Sequence, residues 1–196
     1  MATTNGGKQQ KIKVKLLIDE LNSGNQSKIS ASIKALQENG DISILEPMVR
    51  LLSSDISEKI KSEVIEFLSS LKDTDSVDEI MRILKDSRNI QIRGKVLATI
   101  WNSPLNYSYY LADFVEIAVE GDFMEALECL TIIENLEGPF EERYVLESQL
   151  HLQDYAKDTN TRDPKKAQIM SEIAILIKDF STLDEDDEMD LFENED

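Results

Sequence analysis

A short apolar pattern that returns at a fixed interval most constrains how this chain can fold. Residues 48–52 read MVRLL, and the same pattern returns 32 positions later in residues 80–84 as IMRIL. The apolar positions of residues 60–68 return at the same interval in residues 92–100. Self-similarity at this period is typical of solenoids, in which each unit buries its apolar face only against its neighbours. The repeat therefore predicts a solenoid, and it points to binding rather than to catalysis.

Helical spacing of the apolar residues runs through most of the chain, and no segment shows the period-two alternation of a half-buried strand. Glycine, asparagine and proline separate the helices, with breaks at Ser23-Gly24, Asn39-Gly40, Asn102-Ser103-Pro104, Gly121 and Gly138-Pro139. Such residues end helices because they supply a left-handed cap or lack a backbone donor. The predicted fold class is all-α: about ten helices, joined by short turns, packed as antiparallel pairs in an α-solenoid with no sheet.

Local signals place several of these helices more closely. The first runs through Val14, Leu16, Leu17 and Leu21. Asp41 is the predicted N-cap of the third helix, which has Pro47 within it or just inside its start, and Asp75 or Ser76 is the predicted N-cap of the fifth. The last four helices are predicted at about residues 107–119, 123–136, 141–155 and 164–180.

Charge is distributed unevenly along the chain. The net charge is −18, and residues 183–196 hold nine acids and no base, which leaves −9 for residues 1–182. By contrast, Lys8, Lys11, Lys13 and Lys15 precede the first acid, Asp19. We therefore predict a flexible N-terminal tail over residues 1–8, a helical repeat domain over 9–182 and a disordered acidic tail over 183–196.

The overall composition argues against several classes of partner. Nucleic acids and anionic membrane surfaces are bound through clustered lysine and arginine, and a net charge of −18 argues against such binding. No apolar stretch approaches the ~20 residues that span a bilayer, and residues 1–10 lack the apolar region of a secretory signal. The single cysteine, Cys129, lies among apolar residues and is predicted to be buried. We expect a cytoplasmic protein without nucleic-acid or membrane partners.

Two stretches of the chain resemble HEAT repeats. Leu51-Leu52 leads through Asp55 into residues 60–68, and residues 84–87 lead through Asp86 into residues 92–100. In that family an A helix ending in paired leucines meets an Asp-containing turn, and a B helix then opens with an apolar residue followed by arginine. Arg93 matches that arginine, and Lys61 is a basic substitute in the other copy. The resemblance is good over residues 41–102, weaker over 11–40 and departs from the pattern after Pro104. It implies a solenoid that acts as a scaffold for protein partners.

Two groups of residues are candidates for partner binding on the repeats. Arg50 and Arg82, with Lys85, recur at repeat spacing, either as a ladder along one face or as solvated helix flanks. Trp101, Tyr107 and Tyr109 are concentrated in one short stretch, either as an exposed recognition patch or as packing between repeats.

The acidic tail supplies the third candidate, because Leu191 and Phe192 interrupt its run of acids and can anchor in a partner's groove. The alternative is a solubilising end. A calcium loop is excluded because Met189 occupies the turn position where the EF-hand requires glycine.

The predicted function is a non-catalytic protein-interaction scaffold or adaptor. The chain has no glycine-rich phosphate loop, nucleophile elbow or zinc-binding histidine motif, so we expect no catalytic, cofactor or metal site. One alternative is an acidic holder or chaperone that binds a basic protein through its tail. Another is an enzyme subunit of the lyase type, since some HEAT-like proteins act on tetrapyrroles. The partner and the oligomeric state are left open.

Overall fold

A computed structural model describes residues 4–157 and 163–190 of the chain, with side chains described for 7–38, 40–157 and 163–181. Over these residues the protein contains ten α-helices, three short 3-10 segments and no strand. The helices are α1 Thr4–Leu21, α2 Gln26–Asn39, α3 Leu45–Leu51, α4 Glu58–Ser69, α5 Asp75–Lys85, α6 Arg93–Leu97, α7 Leu111–Glu120, α8 Phe123–Asn135, α9 Glu142–Lys157 and α10 Pro164–Asp190. The all-α prediction is confirmed.

The chain forms two compact units, unit 1 (Met1–Leu105) and unit 2 (Asn106–Asp196). In unit 1 the helices pack as consecutive pairs: α1 contacts α2, α3 contacts α4, and α5 contacts α6. The first members of these pairs form one row, in which α1 contacts α3 and α3 contacts α5, and the second members form another row, α2–α4–α6. We call these rows A and B. Two rows of stacked helix pairs are the arrangement that the 32-residue repeat predicted.

Unit 2 repeats this pairing, although the sequence pattern departs after Pro104. Here α7 contacts α8 and α9 contacts α10, while α7 also contacts α9 and α8 also contacts α10. The apolar stripes of these helices meet in a buried core that includes Phe114 and Cys129, so the predicted burial of Cys129 is confirmed.

Most of the following turns in unit 1 are explained by the backbone and side-chain properties of single residues. Gly24 has φ +68°, the left-handed region that glycine adopts without steric cost, and it ends the turn after α1 as predicted. Asp41 accepts a hydrogen bond from the Ser43 backbone N–H at 3.0 Å, but it caps a 3-10 segment rather than α3 itself. Pro47 lies in the first turn of α3, where its missing N–H costs no intrahelical bond.

Several predicted boundaries were displaced. The N-cap of α5 is Thr74, whose side chain makes no cap hydrogen bond. Asp73, one residue earlier, accepts from the Asp75 backbone N–H at 3.1 Å, whereas Asp75 is itself helical and Ser76 is buried. Unit 2 opens with a 3-10 segment, Ser108–Tyr110, so α7 begins four residues later than predicted.

The chain ends also differ from the predicted segments. Helix α1 begins at Thr4, inside the predicted N-terminal tail, and α10 continues to Asp190, past the predicted start of the acidic tail at residue 183. Disorder stays a prediction for residues 191–196, which lie outside the described residues.

Candidate functional site

A cluster of arginines gathers around one carboxylate on row A. Glu46, in the first turn of α3, has Arg50 one turn further along the same helix, and the Arg50 Nη2 lies 2.5 Å from the Glu46 Oε1. The Arg82 Nη2, on α5, lies 3.0 Å from the Glu46 Oε2. The Arg88 Nη2, in the turn after α5, lies 3.8 Å from the Glu46 Oε1. One carboxylate thus joins three guanidinium groups and links α3 to α5.

Two of these arginines have a second carboxylate partner. Arg82 donates from Nη2 and Nε to both oxygens of Glu79, at 2.6 and 2.8 Å, in the parallel geometry that suits a guanidinium and a carboxylate. Arg88 donates from Nε to Asp86 at 2.9 Å and from Nη2 to the same carboxylate, which also accepts from the Arg88 backbone N–H. We call Glu46, Glu79, Asp86 and the three arginines the arginine cluster.

The ion pairs of the cluster shift the pKa values of Glu46, Asp86 and Arg82. Burial opposes ionisation of Glu46, but the hydrogen bonds from Arg50 and Arg82 outweigh it and lower the pKa of Glu46. The side-chain hydrogen bonds from Arg88 lower the pKa of Asp86 to about 2. The hydrogen bonds that Arg82 donates to Glu79 and Glu46 raise the pKa of Arg82 above its ordinary value. These shifts favour the charged forms of Glu46, Asp86 and Arg82, and the cluster joins three carboxylates to three guanidinium groups.

The arginines of the cluster remain accessible. Their side chains are 62% exposed for Arg50, 48% for Arg82 and 68% for Arg88. A guanidinium has five N–H donors, so the bonds made within the cluster leave others for a partner. The predicted arginines Arg50 and Arg82 are thus brought together by the fold. Sequence reasoning missed Arg88 and Glu46, although Glu46 precedes Arg50 by the four residues of a helical ion pair.

The three predicted aromatic residues have different surroundings. Trp101, in the turn after α6, and Tyr109, in the 3-10 segment before α7, are both exposed. Tyr107 is only 3% exposed and packs edge-on against Phe114, with ring centroids 6.2 Å apart. Its assignment to a binding surface was wrong, because the ring belongs to the core. Leu191 and Phe192 lie outside the described residues.

A second exposed cluster lies in unit 2 around Tyr109. Its ring meets that of Tyr144, on α9, edge-on at 6.3 Å. The Arg143 guanidinium lies 4.5 Å from the centroid of the Tyr144 ring, and its Nη2 donates to the Tyr144 hydroxyl at 2.7 Å. Arg143 also pairs with Glu141 at 2.9 Å. Tyrosine and arginine are enriched at protein interfaces. No sequence pattern indicated that these residues would meet.

Unit 1 contains a cavity of about 320 Å³ where α2 and α4 end. Leu36, Leu45 and Phe67 are among its apolar lining residues, and Asp41 and Asp73 are among the polar ones. Both carboxylates accept hydrogen bonds from the backbone of the next turn. Hydrogen bonds from Ser43, first from its side chain and then from its backbone, lower the pKa of Asp41.

The side-chain clusters and the helices of the described part of the chain are relevant to metal ions and to membranes. No group of three or more His, Cys, Asp or Glu side chains there is placed to hold a metal ion. None of its helices is long and apolar enough to cross a membrane.

The paired helices of unit 1 define an α-solenoid repeat protein. Residues 14–100 match the family model described as HEAT repeats, so this part of the chain is similar to that family. The matched segment includes the cores of all three helix pairs of unit 1. Comparison with curated proteins and comparison with solved structures each gave no match.

Proposed function

We propose that this protein is a non-catalytic interaction scaffold that binds a protein partner through the arginine cluster on row A. HEAT repeats commonly act as protein-interaction scaffolds, and the cluster supplies the surface chemistry. The observation that carries the proposal is that three exposed arginines from two successive repeats are held by one carboxylate, Glu46.

Preorganisation is the physical reason why such a cluster suits binding. A free arginine side chain loses about 2 kcal/mol of rotamer entropy when it is fixed at an interface. Arg82 is already held by Glu79 and Glu46, so a partner that accepts from its remaining N–H groups has less of that entropy to overcome. The same cluster spans α3 and α5, which gives the partner a surface wider than one repeat.

Charge balance favours a protein surface over a polyanion as the partner. Within the cluster three carboxylates offset three guanidinium groups, and the chain has a net charge of −18. Binding to nucleic acid or to an anionic membrane draws its affinity from excess positive charge. A protein surface with carboxylates and backbone carbonyls can instead accept hydrogen bonds from the outward edges of the guanidinium groups.

The proposal is tested by comparing two double variants in a quantitative pull-down from native extract. Arg50→Ala with Arg82→Ala should lose partners that the parent protein recovers, while circular dichroism shows unchanged helicity. The matched control, Lys28→Ala with Lys59→Ala, removes two exposed cations from row B and should recover the same partners as the parent. If both double variants recover the same partners in equal amounts, the arginine cluster is not the binding surface.

A second candidate function is that of an acidic holder for a basic protein. It is favoured by the nine acids and the absence of bases in residues 183–196. Exposed charges are screened over about 8 Å at physiological ionic strength, so this function predicts steep loss of partners with added salt. The distinguishing variant replaces Asp184, Asp186, Asp187 and Glu188 by amides. Partners that survive this variant and added salt support the scaffold, and partners lost under both conditions support the holder.

A further inference from the structure

Helix α1 carries apolar residues on two opposite faces. Val14 and Leu21 are buried on the side where α1 meets α2 and α3. Ile12 and Leu16 lie one turn apart on the other side and are 54% and 60% exposed. In row A, α3 contacts a neighbour on each side, α1 and α5, and the second apolar stripe of α1 suits a neighbour on its outer side in the same way.

Basic residues border this outer stripe. Lys8 precedes Ile12 by one turn, and Lys15 follows it by three positions, so both share the face of Ile12 and Leu16. Lys11 and Lys13 lie beside them, and all four lysine side chains are exposed. The first acid of the helix, Asp19, comes only in its last turn. We call this surface the basic face of α1.

The chemistry complementary to this face is found in the same chain. Residues 183–196 combine nine acids and no base with the apolar residues Met189, Leu191 and Phe192. A partner for the basic face needs apolar groups for Ile12 and Leu16 and carboxylates for the surrounding lysines. The acidic segment supplies both, and no other segment of comparable length carries so many acids without a base.

The length of α10 indicates which molecule provides that segment. At 1.5 Å per residue, the 27 residues of α10 span about 40 Å. Two of the helices that it contacts, α8 with 13 residues and α9 with 16, span only about 20 and 24 Å. Among the described side chains of α10, the buried ones run from Ile169 to Ile177, in its first half. The helix is thus longer than these two neighbours, and its acidic residues follow its buried ones along the chain.

We propose that the basic face of α1 binds the acidic segment, residues 183–196, of a second copy of this chain. The apolar residues of the segment cover Ile12 and Leu16, and its carboxylates approach Lys8 and Lys15. Two copies with a net charge of −18 repel each other, but physiological salt screens that repulsion beyond about 8 Å and leaves the contact-range attraction. The contact joins two different surfaces, so it closes a two-fold dimer if two copies exchange it reciprocally and extends an assembly if each copy binds a different neighbour.

Sedimentation of the full chain at physiological salt tests the self-association. The mean mass should rise with protein concentration across the micromolar range. Ile12→Ser with Leu16→Ser, or Leu191→Ser with Phe192→Ser, should keep the chain monomeric at the same concentrations. The matched control is Leu146→Ser with Leu150→Ser, which removes an equally spaced, exposed apolar pair from α9 and should associate as the parent does.

A labelled peptide of residues 183–196 then tests the contact itself. Fluorescence anisotropy should show that the peptide binds the parent chain and the α9 control with similar affinity. Its affinity for the double variant Ile12→Ser with Leu16→Ser should be about tenfold lower than for the parent. Equal affinity for both double variants would overturn the assignment to α1. A peptide that binds α1 while the full chain stays monomeric at every concentration would overturn the second copy as the source of the segment.

Discussion

At the scale of single residues, the Asp86–Arg88 pair makes stability depend on pH. The pKa of Asp86 is about 2 in the folded chain against an ordinary value of 3.8, because Arg88 donates hydrogen bonds to the carboxylate. A lowered folded-state pKa gives stability that is present above about pH 4 and lost as the pH falls to about 2. We expect Asp86→Asn, which keeps an acceptor for the Arg88 backbone N–H, to flatten this part of the profile of urea midpoint against pH.

A double-mutant cycle separates the ion pair from other effects of the substitution. Arg88→Ala should flatten the same part of the profile, and adding Asp86→Asn to it should change the profile little further, since each change removes the same pair. Additive effects of the two substitutions would show that the pair is not the source of the pH dependence.

The neighbours of Gly40 leave no room for a side chain at this position. A Cβ at this position would collide with the Ile44 side chain and lie 2.7 Å from the Leu36 backbone oxygen. Gly40→Ala should therefore lower the free energy of unfolding by about 1–3 kcal/mol, as overpacking does. Gly7, exposed in α1, meets nothing within 4 Å, so Gly7→Ala should instead raise it by about 0.5–1 kcal/mol. Chemical denaturation measures both changes in the free energy of unfolding. If the two substitutions change it in the same direction, the steric argument is contradicted.

At the scale of helices, α8 begins with a reciprocal cap. Asp122 accepts from the Glu125 backbone N–H at 2.9 Å, and the Glu125 side chain accepts from the Asp122 backbone N–H at 3.2 Å. Asp122→Ala should lower the free energy of unfolding by about 1 kcal/mol, measured by urea denaturation, because the first turn of α8 loses its acceptor. Asp122→Asn, which keeps that acceptor, should have a much smaller effect. Equal losses for the two variants would point to charge rather than to capping.

The ends of the helices could be predicted where one residue determines the local backbone. Gly24, with its positive φ, and Pro164, at the first position of α10, act through their own geometry and were placed correctly from sequence. The start of α5 was misplaced because Asp73, Asp75 and Ser76 all carry suitable oxygens, and which of them accepts from the backbone depends on how residues 70–74 follow α4. The early end of α6, at Leu97, has no signal in the sequence that we can identify.

At the scale of the whole molecule, the repeat predicted which helices stack but not which side chains meet. Arg50 and Arg82 occupy equivalent positions of successive repeats, and their convergence on Glu46 follows from the contact of α3 with α5. The burial of Tyr107 depends on Phe114, and the exposure of Leu16 depends on which helices α1 contacts. A periodic pattern determines the class of fold, whereas such individual environments arise only from tertiary packing.

The net charge of the whole chain should also limit its stability. At −18 the acids repel one another, and this repulsion is stronger in the compact folded state than in the expanded unfolded state. Added salt shortens the screening length from about 30 Å at 0.01 M to about 8 Å at 0.15 M, so the thermal midpoint should rise over that range. Replacing Asp184, Asp186, Asp187 and Glu188 by amides reduces the net charge from −18 to −14 and should make the rise smaller. A midpoint that falls with salt in both proteins would mean that attractive pairs such as those of the arginine cluster outweigh the net repulsion.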